Sequence, residues 1–373
     1  MTIFQIISKL VIKAIQKVDK TKVLGLTIDS KLSYTDHNQK TYQRLCEKWV
    51  KICEYCNIHW GFNQKVLTRL INTLFLSIIQ YCGHIWLNTK NMGNIDKLWN
   101  KLIKSAVGSV FNIQTSIGEV ILGIPPLIIH TTSNRIKHYL KLNINQSPED
   151  QLKKLINDMT NRNITQITEV KNSLKEVFKF LKWKLELYPN QFCDQDKEVI
   201  NNNIFSHYCE LSPKACSYTR TTFKKYVEKL WLEKLKNQAL LNGELNVPTP
   251  SCQKLPIPDH TTREDEVLLM SLFYPQNLFN SFVYRHTYQT ESPLCSRCTS
   301  KEETPFHIVY ECNNNKEKIC SIVDKIVGDI HYEDCNTLLN CSRNEEFIHC
   351  CLNVLKQANF RREIILTTED HLI

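Results

Sequence analysis

The chain has 373 residues, with 47 Lys and Arg against 38 Asp and Glu, and a formal net charge of +9. Hydrophobic residues make up 42% and charged residues 23%, a globular composition with enough length for two or three domains. No run approaches the ~18 consecutive apolar residues of a spanning helix, so no membrane association is expected. Lys9, Lys13 and Lys17 interrupt the apolar N-terminus and argue against a secretory signal. The 16 cysteines are therefore expected to be free or metal-bound rather than paired in disulfides.

The positive charge is concentrated in the first part of the chain. Residues 1–145 contain 19 Lys and Arg against 7 Asp and Glu, a balance of +12, whereas the remaining residues carry −3. This asymmetry indicates a polyanionic partner for the first part, although a solvated lysine-rich surface accounts for it equally well. Charge alone does not choose between the two.

The first segment, residues 1–40, is open to two interpretations. Apolar residues from Ile3 to Val18 recur at helical spacing with lysines opposite, which favours an amphipathic helix. Residues 23–29 form a β-rich run that ends in the turn-like residues 29–31. If the earlier segment pairs with that run, residues 9–18 hold strand and loop instead of helix.

Residues 41–146 have the periodicity of a helical domain. A helix predicted over 41–58 ends before a break at 61–63, and a broad apolar stripe over 64–86 predicts a helix packed on more than one side. Further helices are predicted at about 95–110 and 127–142. In the first of these, Lys97, Lys101 and Lys104 are spaced to share a face.

The rest of the chain divides into four segments. Residues 147–246 are predicted as a helical middle region, with helices near 173–187 and 223–241. Residues 247–262 are predicted as a linker, because proline removes a backbone donor and blocks helix formation. Residues 263–315 begin with a short amphipathic helix and contain a Cys/His module, and residues 316–373 are predicted as a helical tail.

The Cys/His module has the spacing C-x2-C-x8-H-x4-C, formed by Cys295, Cys298, His307 and Cys312. Two thiolates separated by two residues lie on a tight turn and can bind one metal ion. The histidine and the last cysteine lie about one helical turn apart and can complete the site. Three thiolates and one imidazole favour Zn²⁺ in a closed, structural site. The competing interpretation is ordinary cysteines beside a nearby histidine.

Seven of the other cysteines are predicted to serve packing. Cys53, Cys56 and His59 would lie along one side of a helix, where thiols commonly fill a core. The run His349-Cys350-Cys351 has no complementary pair at a suitable distance. The same interpretation applies to Cys320, Cys335 and Cys341.

Motifs for several enzyme classes are missing from the sequence. It contains no glycine-rich phosphate loop and no nucleophile elbow. No closely spaced aspartates occur in the strand-turn-strand context that a polymerase uses to hold two Mg²⁺ ions. Asp194 and Asp196 are the nearest approach, and they are interpreted as a solvated turn beside Pro189.

Three separated parts of the chain carry longer motifs. The first is KVLGLTIDSKL at 22–32, followed by His37. The second is WGFNQKVL at 60–67, which continues through QYCGHIW at 80–86 to LGIPPL at 122–127. The third runs over 263–312, with SPLCSRC at 292–298 and EETPFH at 302–307. In this order the three parts resemble the reverse transcriptases of jockey-like non-LTR retrotransposons.

The resemblance implies a fold and a location within the family's polyprotein. It implies that residues 23–28 form a strand of a palm-edge β-hairpin, that residues 41–146 form a helical thumb, and that the Cys/His module is a zinc-binding tail. The expected fold class is mainly α with a small N-terminal β-hairpin and a small zinc-binding module. The catalytic aspartates of the family's palm and its endonuclease have no counterpart here, and Asp29 is not a polymerase metal ligand. The family's arginine-rich stretch before the zinc site corresponds to residues 271–277, which lack arginine.

Three functions are compatible with these observations. The first is a nucleic-acid-binding C-terminal portion of a reverse transcriptase, with a template–primer duplex of RNA and DNA as its partner and a nuclear or cytoplasmic location. The second is part of an active RNA-directed DNA polymerase completed by upstream sequence, and the third is a degenerate copy that serves only as a scaffold. In the first, phosphate contacts are expected from Lys48, Lys51, Lys65, Arg69, Lys97, Lys101 and Lys104.

The same hypothesis leaves two roles open for the tryptophans of this region. Trp60, Trp86 and Trp99 either stack on bases or pack the core, and packing is favoured at helical spacing.

Overall fold

A computed structural model describes most of the chain. The described residues are 18–56, 60–87, 92–108, 115–145, 167–242, 251–252, 256–258, 261–270, 272, 284, 292–312, 320–321, 323, 341 and 344–357. The predictions made for residues 1–17, for residues 147–166, for His59 and Cys335, and for most of the linker lie outside these residues. Among the described helices, none has the length and apolar character needed to cross a membrane.

The described part is mainly helical with a single β-hairpin, so the predicted fold class is confirmed. The strands are β1 (Lys20–Val23) and β2 (Leu26–Asp29). The α-helices are α1 (Thr35–Cys53), α2 (Gln64–Leu70), α3 (Ser77–Gln80), α4 (Gly83–Trp86), α5 (Gly93–Val107), α6 (Thr115–Leu122), α7 (Leu127–Asn145), α8 (Ile167–Leu187), α9 (Asp194–Asn201), α10 (Pro213–Cys216), α11 (Arg220–Asn242), α12 (Arg263–Met270) and α13 (Glu345–Gln357). Two π-helical segments cover Ile71–Leu76 and His307–Glu311.

The turn of the hairpin lies within residues 23–28, where a single strand was expected. β1 and β2 pair antiparallel, and Leu24 and Gly25 form the turn with φ angles of 46° and 87°. Positive φ is inexpensive for glycine, which explains why the chain reverses at this point. The expectation of one strand over residues 23–28 was therefore wrong, whereas the hairpin itself is present.

Asp29 organises the connection from β2 to α1. Its carboxylate accepts hydrogen bonds from the backbone N–H groups of Lys31, Ser33 and Tyr34 at 2.7–3.0 Å. The bond from the Ser33 N–H is the main cause that lowers the pKa of this carboxyl. Asp29 therefore has a structural role in this turn.

The predicted long helix over residues 64–86 is present with an interruption. α2, a π-helical segment and α3 follow one another without a break, and the chain then turns at Tyr81 and Cys82 before α4. Four side chains of the apolar stripe are fully buried: Leu67, Ile71, Phe75 and Ile79. Leu74 is exposed and the rest of the stripe is half-buried, so the segment buries one face instead of packing on several sides.

The apolar residues form two hydrophobic cores that divide the chain differently from the sequence segments. The first core combines residues from 26–127 with residues from 257–355, so the helical region after the hairpin and the Cys/His module share one interior. The second core lies within residues 120–235. α6 and α7 contribute to both cores and connect them.

A buried polar network closes the second core. The Lys184 ammonium donates hydrogen bonds to the carbonyl oxygens of Lys214, Ala215 and Ser217 at 2.6–3.2 Å, at the C-terminal end of α10. Asp196 accepts from the backbone N–H and hydroxyl of Ser212 at the N-terminus of the same helix. The positive Lys184 thus lies at the C-terminal end of α10 and the negative Asp196 at its N-terminal end, and the helix dipole favours both positions.

The network also corrects the interpretation of Asp194 and Asp196 as a solvated turn. Both lie in the first turn of α9, and Asp196 is buried. Negative side chains are favourable at a helix N-terminus, and the pairing with Ser212 required a distant segment that the local pattern did not show.

α12 joins the C-terminal segment to the first core through a buried ion pair. The Arg263 guanidinium donates to the carbonyl oxygens of Ala106 at 2.8 Å and Ser105 at 3.0 Å, at the end of α5. Glu266 accepts from the backbone N–H of Gln64 at 2.7 Å, in the first turn of α2. The pair is separated by 3.7 Å, and both side chains are almost completely buried.

We expect Arg263→Met to lower the free energy of unfolding by ~3–5 kcal/mol, because Glu266 stays buried without its cation. Adding Glu266→Gln should recover roughly half of this loss, because glutamine removes the charge and still accepts from Gln64. Urea denaturation of the two variants measures the difference. No recovery in the double variant would show that the charge of Glu266 is not the source of the loss.

Glu119 is a buried acid between the two cores. Its carboxylate accepts a hydrogen bond from the Trp99 indole N–H at 2.8 Å. Burial raises the pKa of this carboxyl from 4.5 to about 7, and the bond from Trp99 only partly opposes the shift. The folded protein therefore binds the proton more tightly than the unfolded chain does.

This shift predicts a pH-dependent stability difference for Glu119→Gln. A raised folded-state pKa contributes stability that is complete at low pH and is lost as pH rises from 4.5 to about 7. The variant keeps an acceptor for Trp99, so its advantage over the parent protein should grow by ~3 kcal/mol across this range. Urea denaturation between pH 5 and pH 8 measures it. The exposed Glu186→Gln serves as control, and a constant difference would contradict the prediction.

Candidate metal centre and cationic surface

The four side chains of the Cys/His module converge. The Sγ atoms of Cys295, Cys298 and Cys312 and a ring nitrogen of His307 lie within 4.8 Å of one another. Cys295, Cys312 and His307 are buried, and Cys298 is half-buried. In the described part of the chain, no other group of three or more such side chains has this geometry. The cluster could hold a metal ion, as the sequence spacing predicts.

A short turn holds the first two cysteines. The Cys295 N–H donates to the carbonyl of Lys301 at 2.8 Å, and the Thr299 N–H donates to the carbonyl of Cys295 at 2.9 Å. Thr299 has a φ of 52°, which lets the chain fold back after Cys298. The bridge between Leu294 and Glu302 closes the base of this turn.

A π-helical turn sets the spacing of the other two ligands. The Cys312 N–H donates to the carbonyl of His307 at 2.8 Å, five residues earlier, instead of the usual four. The wider turn brings Cys312 Sγ toward the imidazole. π-Helical turns often occur at functional sites for this reason. The sequence predicted one helical turn here but not its π geometry.

Two glutamates that the sequence analysis did not assign support the cluster. Glu311 accepts from His307 Nδ1 at 3.1 Å, which orients Nε2 toward the cysteines, and it also pairs with Lys301 at 2.9 Å. Glu303 is fully buried and accepts from the N–H and hydroxyl of Ser296 at 3.0 Å. A carboxylate four residues after a ligand histidine is the sequence signal for the first of these contacts.

The polypeptide favours a thiolate at Cys298. The Ser300 hydroxyl donates to Cys298 Sγ at 3.2 Å, and this bond is the largest of the contributions that lower the pKa of the thiol to about 6. The His307 Nε2 atom lies 3.2 Å from the same sulfur. Burial raises the pKa of Cys312, and the neighbouring thiol of Cys295 adds to this effect. A bound cation would lower the pKa of this thiol again, because a thiol that coordinates a metal is deprotonated.

The cysteines for which packing is predicted are buried or half-buried where they are described. Cys341, Cys350 and Cys351 are buried in the first core, as predicted. Burial raises the pKa of Cys53, and raises that of Cys56 to about 12, so both thiols stay protonated at neutral pH. The helix ends at Cys53, so Cys56 lies beyond it, whereas the sequence pattern extends this helix to residue 58.

The predicted phosphate-contacting residues occupy three helices that pack together. Lys48 and Lys51 lie on α1, Lys65 and Arg69 on α2, and Lys97, Lys101 and Lys104 on α5. α5 packs against both other helices. Lys51, Arg69, Lys97 and Lys101 are exposed, and the other three are half-buried. The Lys101 ammonium lies 5.8 Å from the centre of the Trp49 ring, which connects α5 to α1.

The three tryptophans considered for base stacking separate into two classes. Trp86 and Trp99 are fully buried in the first core, so the packing interpretation is confirmed for them. Trp60 has 59% of its surface exposed. All six tryptophans are described, and Trp60 is the one that is exposed. Sequence periodicity did not distinguish it, because it lies in the break between two helices.

Comparison with known proteins adds no relative to this description. No protein-family model, no curated protein and no solved structure matches the chain.

Proposed function

We propose that this chain is a non-catalytic, nucleic-acid-binding portion of a retrotransposon reverse transcriptase, in which a thumb-like helical unit carries a structural zinc module. The observation that carries the proposal is the convergence of Cys295, Cys298, His307 and Cys312 within 4.8 Å. These residues belong to the segment in which the resemblance places a zinc-binding tail. The hairpin and the helices that follow it also occur in the order that the resemblance implies.

Zinc is the metal that this ligand set fits best. Three thiolates and one imidazole suit a borderline-soft ion, and four protein ligands leave no open position for substrate. The role is therefore structural. When bound, Zn²⁺ would neutralise the thiolates, and Glu311 would hold the orientation of the His307 ring.

The cationic helices support a polyanionic partner. α1, α2 and α5 form one packed unit, and the seven proposed contact residues lie on it without being drawn into the core. A duplex of template and primer carries closely spaced phosphates, which such a set of cations neutralises with release of counterions. The acidic excess of residues 146–373 makes that part a less suitable surface.

The metal prediction concerns stoichiometry and ligand identity. We expect the purified chain to bind one Zn²⁺, and Co²⁺ exchange to produce the intense visible absorption of a tetrahedral thiolate site. Cys298→Ser and His307→Ala should each lose the metal. Glu311→Ala should weaken metal binding by roughly 10–100-fold, because it removes the support of the imidazole.

Cys193→Ser is the matched control for the metal experiment. Cys193 is exposed and accepts a hydrogen bond at the N-terminus of α9, a role that serine also fills. This variant should keep the full metal content. Absence of metal from the parent protein, with a chelator leaving its unfolding transition unchanged, would refute the zinc assignment.

The nucleic-acid prediction concerns salt dependence. The chain should bind an RNA–DNA hybrid at low salt, and its affinity should fall steeply with ionic strength. Replacing Lys51, Lys97 and Lys101 by glutamine should reduce the slope of log affinity against log salt by roughly 2–3, since each phosphate contact contributes about 0.9. Fluorescence anisotropy across a salt series measures this slope.

A second triple variant serves as the control, because it removes the same number of positive charges from a different part of the protein. Lys175, Lys225 and Lys229 are exposed lysines on the helices of the second core, and their replacement by glutamine should leave the slope within about half a unit. Equal effects of the two triple variants would indicate non-specific attraction to net charge. A parent protein that fails to bind the hybrid at low salt would favour the scaffold hypothesis.

A further inference from the structure

Three aromatic side chains are exposed in the connection between α1 and α2. Tyr55 is 43% exposed, Trp60 is 59% exposed and Phe62 is 38% exposed. Large aromatic side chains are usually buried because each removes a large apolar area from water. Their joint exposure within a few residues is therefore costly unless a ligand covers them. We call Tyr55, Trp60 and Phe62 the aromatic platform.

Local contacts order two of the three rings, those of Tyr55 and Phe62. The rings of Tyr55 and Phe62 stack with centroids 4.7 Å apart and planes inclined by 18°. The Phe62 N–H donates to the carbonyl of Tyr55 at 3.0 Å. Gly61 has a φ of 125°, a conformation that only glycine adopts readily, and it allows the chain to reverse beside this pair.

The start of α2 fixes the other side of the platform. The Asn63 side chain caps this helix by accepting from the Val66 N–H at 3.0 Å. The next residue, Gln64, donates its N–H to the buried Glu266. Phe62 therefore precedes a helix terminus that is tied to the first core, so its ring and that of Tyr55 do not need to be ordered when a ligand arrives.

Two cations flank the platform along the chain and favour an anionic ligand. Lys51 lies in the last turn of α1 just before Tyr55, and Lys65 lies in the first turn of α2 just after Phe62. Exposed π faces flanked by cations are the arrangement with which proteins hold single-stranded nucleic acid.

We propose that the aromatic platform binds unpaired nucleotides by stacking on their bases, at the end of a duplex held by the cations of α1 and α5. This inference rests on the proposed function and adds the class of strand that the loop recognises. A paired base presents no free face to a side chain, whereas an unpaired base of any sequence does. The platform therefore recognises the single strand without selecting its sequence.

The test compares a short blunt RNA–DNA hybrid with the same hybrid carrying an unpaired tail. The chain should bind the tailed hybrid roughly 10-fold more tightly than the blunt one at equal salt. Trp60→Leu and the double variant Tyr55→Leu, Phe62→Leu keep apolar volume but remove the π faces. Each should reduce the advantage of the tail to about two-fold or less, with the affinity for the blunt hybrid unchanged.

A direct optical signal identifies the stacking residue. Oligothymidylate should quench part of the tryptophan fluorescence of the parent protein, because Trp60 is the exposed tryptophan, and the Trp60→Leu variant should lose this response. Tyr284→Leu provides the control, since Tyr284 is 41% exposed and lies far along the chain. It should leave the advantage of the tail intact.

The outcomes separate this inference from the proposed function. If the blunt hybrid binds and the tail adds nothing, or if the platform variants keep the full advantage, the inference alone is overturned. If neither hybrid binds at low salt, the proposed function fails as well. If Trp60→Leu instead changes the molecular mass by light scattering and leaves hybrid binding unaffected, the platform is a contact between protein chains, and the inference is also overturned.

Discussion

The buried pair of Arg263 and Glu266 holds the two distant parts of the first core together. Arg263 meets the carbonyl end of α5, and Glu266 meets the amide end of α2, so each charge faces the helix dipole of opposite sign. This arrangement offsets the cost of desolvating two ions, which an isolated buried pair does not regain. Gly108 completes the contact, because a Cβ atom there would lie 2.4 Å from the Val267 side chain. A larger residue at position 108 would therefore collide with α12.

The docking of α12 gives the Cys/His module a folded support. Cys295 and Cys312 are buried in the same core as the helices after the hairpin, together with Ile308 and Val309 from the π-helical turn. The hydrogen bonds around Cys298 and His307 are made by the polypeptide alone. A metal ion would therefore complete a site whose outer contacts already exist. Because the ligands are also core residues, binding of the ion is coupled to the stability of that core.

The helices that carry the proposed nucleic-acid surface and the proposed metal centre pack on the same hydrophobic core, but no residue belongs to both sites. α5 displays Lys97 and Lys101 on its exposed face and buries Leu98, Trp99 and Leu102 on the other. Burial of one face of α5 in the core therefore leaves the face with the lysines exposed to solvent. The second core, with its own network at Lys184 and Asp196, connects through α6 and α7. Glu119 sits at this junction, where its raised pKa makes the packing sensitive to pH near neutrality.

Features that depend on neighbours in the chain follow from the amino-acid pattern. The ligands Cys295, Cys298, His307 and Cys312 lie within one short segment, so their spacing already predicted their convergence. Amphipathic periodicity likewise predicted most of the described helices to within several residues, because burial of one helix face follows a local repeat.

Tertiary structure alone decided what covers each apolar face. Periodicity reports that a side chain is suited to burial but not which distant segment buries it, so it did not separate exposed Trp60 from buried Trp86. The shared core, the partners of Arg263 and the network of Asp196 join residues far apart in sequence. Such contacts arise from the packing of whole helices, and a local pattern carries no information about them.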